Sequence, residues 1–164
     1  MIAVDSSAIV AIVLGEPERA ALLAAIENAD AALISSVSVV EARMVVHGRR
    51  GERGVVLLDD FLRLPPFKVV APEAREAAAA HAAFVAFGKG SGHPARLNFG
   101  DLFSYALAKV RGLPLLFKGD DFGHTDIVSA LSENRTTDRE RRPSKTPRSH
   151  QPRPDSRDAA PAPG

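Results

Sequence analysis

Four short, largely apolar runs separated by longer helical patterns constrain this chain more than any other feature. Ile2-Ala3-Val4, Ala32-Leu33-Ile34-Ser35, Phe67-Lys68-Val69-Val70 and Pro114-Leu115-Leu116-Phe117 all have strand length. Strands that read as continuous apolar runs, rather than alternating, are covered on both faces. With helices between them, they predict an α/β fold of three layers, a mostly parallel central sheet with helices on both sides. A helix is expected from Ser7 through Leu14, and Glu16-Pro17-Glu18 opens another that runs to about Asn28, with proline and acids in its first turn. Ser36 suits the N-cap of a helix through about His47, and Gly51 leads into a further helix ending before Pro65-Pro66. An alanine-rich helix is expected from about Pro72 to Phe87, then a glycine-rich loop over residues 88–94, then a helix capped by Asn98 and reaching about Arg111.

Such a sheet says where to look for a site. Ligands of open α/β folds bind beyond the carboxyl ends of strands, where strand order reverses. Asp5 ends the first run and Gly119-Asp120-Asp121 follows the fourth. Two more acids stand where the pattern calls for apolar residues. Glu41 falls within a stripe of Val37, Val40, Met44, Val45 and Gly48, so it is expected to point inward. Asp101 is the sole charged residue between Arg96 and Lys109, on a helix apolar nearly all round. Taken singly, these acids have ordinary readings. Asp5 and Asp101 suit helix caps, Glu41 suits an ion pair with Arg43 or Arg49, and Asp120-Asp121 suits a turn. Taken together at one end of one sheet, ionised carboxylates repel one another and need a counter-charge. No run of basic residues is placed to supply it. A divalent cation does so economically, and hard oxygen ligands suit Mg²⁺ or Mn²⁺ rather than zinc.

Composition removes other chemistries. With no cysteine there is no disulfide, thiolate metal site or cysteine nucleophile. The five histidines show no ligand or general-base spacing. The net charge of +1 hides an uneven split: residues 133–164 hold eight Lys/Arg against five acids, so the rest of the chain carries −2. That body does not advertise nucleic-acid binding by its bulk field. Residues 133–164 also hold six of the twelve prolines and no aromatic or branched aliphatic residue, which predicts a disordered Pro/Arg-rich tail after a domain spanning residues 1–132. No early apolar stretch is long enough to span a bilayer. A soluble cytoplasmic protein is expected.

The blocks Ile2-Ala3-Val4-Asp5-Ser6-Ser7-Ala8, Ser36-Val37-Ser38-Val39-Val40-Glu41, the run from Leu97 through Asp101 to Ala108, and Leu115 to Phe122 with His124-Thr125-Asp126 closely resemble VapC toxins of the PIN-domain family over about residues 1–131. The resemblance implies a PIN fold and Mg²⁺- or Mn²⁺-dependent hydrolysis of RNA by the toxin of a type II toxin–antitoxin pair. It further implies a homodimer held in check by a cognate antitoxin. It makes Asp5 and Asp101 the principal metal ligands, with Glu41 and an acid of the Gly-Asp-Asp turn completing the catalytic set. Asp121 fits that place better than Asp120, which takes the free slot of a Lys-Gly-any-Asp-Phe pattern. Ser7 would orient Asp5, and Asp126 is a further supporting candidate. The alternative is a catalytically silent PIN-like interaction module. A receiver-type phosphate acceptor would want an acid pair near the first strand, and a dehalogenase-like phosphatase would want an aspartate where Ser7 stands.

Overall fold

The computed structural model describes residues 1–131, and the tail expected over 133–164 lies outside the described residues. The elements are β1 (Ile2–Val4), α1 (Ser6–Leu14), α2 (Arg19–Glu27), β2 (Ala32–Ser35), α3 (Ser36–Arg63), β3 (Phe67–Val70), α4 (Ala74–Phe87), α5 (Phe99–Arg111) and β4 (Leu115–Leu116), followed by a 3₁₀ turn, Asp121–His124. The sheet is wholly parallel in the order β3-β2-β1-β4. From β1 the chain steps outward to β2 and β3, then returns across the sheet to place β4 on the other side of β1. Strand order therefore reverses between β1 and β4.

Alternate residues of β1 face opposite layers. Ile2 and Val4 pack with Ile9, Ile12, Leu22 and Leu58 beneath α1, α2 and α3, whereas Ala3 packs with Leu102, Tyr105 and Leu107 of α5. The three-layer α/β expectation therefore holds. Some local expectations do not, beginning with the N-cap of α3, which is Ser35, accepting from the Val37 N–H at 3.2 Å, and not Ser36. β3 is an edge strand with Lys68 and Val69 exposed, not a buried one. In α3 the buried side is Ser38, Val39, Ala42 and Val46, while Val40 is 54% and Met44 70% exposed, so the stripe read from the sequence lies on the wrong face.

The expected division of α3 does appear. Gly51 breaks the helix with φ 61° and ψ −160°, a backbone state essentially reserved for glycine. Among the described residues no helix is long and apolar enough to cross a membrane.

Candidate active site

Asp5 follows β1 directly and caps α1. Its Oδ2 accepts hydrogen bonds from the Ser7 backbone N–H at 2.8 Å and from the Ser7 hydroxyl at 2.6 Å. The Ser7 oxygen in turn accepts from the Lys118 backbone N–H at 3.0 Å, so the chain leaving β4 helps set the orientation of the acid ending β1. Asp5 is 1% exposed, and its Oδ1 has no hydrogen-bond partner among the described residues. A buried carboxylate oxygen without a partner is costly. Glu76 provides the contrast: equally buried, it closes a capping box on the Glu73 N–H at 3.1 Å and meets Arg111 at 3.3 Å.

Asp101 enters from α5. Asn98 caps that helix, accepting from the Gly100 and Asp101 N–H groups, and Asp101 Oδ2 accepts from the Asn98 N–H at 2.7 Å. The other side of this 7% exposed carboxyl faces the cleft. Burial pushes its pKa up to about 7, and the charges of Asp5, Glu41 and Asp121 push the same way. Glu41 comes from α3, half-buried, with Oε2 accepting from the Ser6 hydroxyl at 2.8 Å. Burial raises its pKa and Asp5 adds to the rise. Its carboxylate lies against the bare α-carbon of Gly100, where any Cβ would overlap it.

These acids line one cleft of about 370 Å³ at the carboxyl end of β1 and β4, which Asp121 also reaches from the start of the 3₁₀ turn. The cleft thus lies where strand order reverses, as expected for the fold. Asp120 is exposed and does not line it. Asp126 is not brought there either, because its carboxylate accepts from Tyr105 Oη at 2.7 Å and Lys109 Nζ at 2.6 Å away from the cleft. The alternative pairing of Glu41 with Arg43 or Arg49 is absent among the described residues, since Arg43 bonds Asp59 and Arg49 bonds Glu16. Sequence reasoning missed Ser6 and Glu16, which line the same cleft, and the pairing of Glu16 with Arg49 and Lys118. The one hint for Ser6 is its place beside Asp5.

Among the described residues, no three carboxylates or histidines close into a ready-made ligand cage. The donor set still suits a hard cation. It offers a buried oxygen on Asp5 with no partner among the described residues and a second carboxyl pushed toward its neutral form by burial and, secondarily, by its acidic neighbours. Mg²⁺ is commonly held by one or two carboxylates and several waters rather than by an all-protein cage.

The pattern of the PIN domain matches residues 2–128. Ribonuclease VapC28 of Mycobacterium tuberculosis is 46% identical over 128 residues, covering 78% of this chain and 96% of that protein. Ribonuclease VapC42 of the same species is 47% identical over 129 residues, covering 79% and 98%. Among solved structures, that of M. tuberculosis VapC20, described as a Sarcin-Ricin loop cleaving toxin, superposes with a TM-score of 0.65 at 20% identity, covering 78% of this chain and 97% of that one. VapBC2 from Rickettsia felis, bound to a DNA fragment from its promoter, gives 0.61 at 17% identity, covering 79% and 96%. At that identity the structural likeness speaks to the fold.

Proposed function

The chain belongs to the PIN-domain family, among its VapC-like toxins, and from that membership and the acidic cleft we propose that it is a metal-dependent endoribonuclease, the toxin of a type II toxin–antitoxin pair. The observation that carries the reading is the convergence of Asp5, Glu41, Asp101 and Asp121 on one cleft, with Asp5 Oδ1 unpartnered among the described residues. The ribonuclease activity printed in the names of relatives at 46–47% identity supports it.

Asp5 and Asp101 would hold Mg²⁺ or Mn²⁺. Such an ion, when bound, supplies positive charge to a scissile phosphate and a water of lowered pKa. The protein's own contribution is positioning. Ser7 fixes one oxygen of Asp5 and leaves the other free, and the Asn98 N–H does the same for Asp101. Glu41, held by Ser6 with its pKa raised, is suited to hold or return a proton at the attacking water. Asp121 lines the same cleft. An open acid cleft of this kind reaches a splayed single strand or loop more easily than a duplex groove.

A cognate antitoxin and a second copy of the chain are the expected protein partners. Exposed Val56 and Leu57 in the second half of α3, with Leu64 just past its end, support that part as a self-association face; a monomeric sedimentation profile at micromolar concentration would remove it. A second reading, the silent interaction module, draws on the lack of a preformed ion cage among the described residues. One experiment separates the two. Partner-free protein is incubated with a mixed tRNA and rRNA pool in Mg²⁺, Mn²⁺ or EDTA, beside Asp5→Asn and Asp101→Asn, which keep an oxygen for each helix cap. Metal-dependent fragments lost in both variants establish the nuclease, whereas folded, inactive wild type favours the module.

A further inference from the structure

The acid cleft also carries two cations, Arg49 and Lys118, and a fifth acid that holds both of them. Glu16 Oε1 receives Arg49 Nη1 at 3.1 Å and Glu16 Oε2 receives Lys118 Nζ at 2.6 Å, while Lys118 also reaches Glu18 at 3.2 Å. The three groups come from the α1–α2 connection, from α3 and from the segment after β4, so the cluster is built by tertiary folding. It adjoins the catalytic acids directly, since the Lys118 backbone N–H bonds the Ser7 oxygen that orients Asp5.

An RNA strand entering this cleft meets five carboxylates and two ammonium or guanidinium groups, on a body of net charge −2. Cations engaged with Glu16 are not lost to the substrate. A phosphodiester presents two anionic oxygens, as Glu16 does, and replacing one by the other conserves the number of ion pairs. The existing pairs are cheap to break: Arg49 is well exposed and Lys118 partly so, and solvent screens exposed ion pairs. We propose that Arg49 and Lys118 are the contacts for a backbone phosphate of the RNA strand, and that Glu16 is an internal counter-ion which this phosphate displaces. The inference rests on the ribonuclease reading and adds to it a phosphate subsite and a brake on its affinity.

Binding of a short labelled single-stranded RNA of mixed sequence, measured by fluorescence anisotropy over a salt series in full-length Asp101→Asn protein, tests it. Arg49→Ala and Lys118→Ala should each weaken binding, and the two together should lower the slope of log K against log salt by roughly 0.7, the value for one lost phosphate contact on a single strand. Glu16→Gln should tighten binding by about twofold to tenfold, the worth of the pairs it releases, and the gain should vanish when both cations are replaced as well. Asp30→Asn, an equal charge change at the opposite end of the sheet, is the control and should leave affinity nearly unchanged. If the cation variants keep the parental slope, or if Asp30→Asn gains as much as Glu16→Gln, the subsite is wrong even where the parent chain cuts RNA with metal. If the parent neither binds nor cuts RNA, the ribonuclease reading falls and the subsite with it.

Discussion

Asp101 is the residue at which folding and function pull hardest against each other. The unfolded chain releases its proton near 3.8, but the folded protein retains it to about 7. A carboxyl with a raised folded pKa favours folding fully below its unfolded value, and that contribution is lost as pH rises through the folded value. Glu41 acts with the same sign. Metal-free protein should therefore lose stability relative to Asp101→Asn between about pH 4 and pH 7, with saturating Mn²⁺ restoring it above that range. Thermal melts of both proteins across pH check this, and a constant gap between them would contradict it. Gly100 supplies a second test. Alanine in a helix is ordinarily better than glycine by about 0.5–1 kcal/mol, but here the added methyl meets the Glu41 carboxylate. The crowded atoms are the flexible end of Glu41, so Gly100→Ala should displace that carboxylate and cost at most about 1 kcal/mol in denaturant titrations, and in a Glu41→Ala background the same change should become neutral or stabilising. A penalty that survives loss of Glu41 would mean the crowding lies elsewhere.

The elements that deliver these residues meet through small side chains. Ser38 of α3 and Ser104 of α5 share a buried hydrogen bond of 2.9 Å, pinning the helix that carries Glu41 to the one that carries Asp101. Ser38→Ala strands the Ser104 hydroxyl in a dry contact and should cost about 1–3 kcal/mol, whereas Ser38→Ala with Ser104→Ala should recover part of that loss. Urea unfolding of the single and double variants decides it, and simple additivity would argue against a shared bond. The same contact explains what the sequence made legible. The runs at β1, β2 and β4 were readable because burial on both faces demands unbroken apolar residues, and Asp5 and Asp101 stood out as charges beside them. Glu41 was singled out through the wrong stripe. Close packing of α3 on α5 selects Ser38, Ala42 and Gly100, residues too small or polar to look like core, while bulky Val40 and Met44 remain outside. β3 looked buried because an edge strand and a central one share the same short apolar signature. The Ser6–Glu41 and Lys118–Glu16 links were invisible because they join positions 35 and 102 residues apart, with no local pattern to announce them.

At the scale of the whole molecule, the described fold is closed by its last residues. Ser129 bridges to Leu115, the Ala130 N–H bonds the Leu115 carbonyl at 2.9 Å, and Ala130 and Leu131 pack against the core under α1 and α2. Residues 132–164 hold no aromatic or branched aliphatic side chain to add to either layer, and the PIN-domain match ends at 128. A protein ending at Leu131 should therefore fold with stability within about 1 kcal/mol of the full chain, the range expected when only a segment this poor in apolar side chains is removed. Cutting three residues earlier should be far worse, since it strips the β4 edge and exposes the apolar surface that Ala130 and Leu131 cover. Removing residues 132–164 also takes the net charge from +1 to −2, which separates two origins of any RNA affinity. If the Arg49–Lys118 subsite supplies the contacts, the shortened protein keeps the salt slope of the full chain. If the arginines beyond residue 132 supply them, the slope falls while the melting temperature stays where it was.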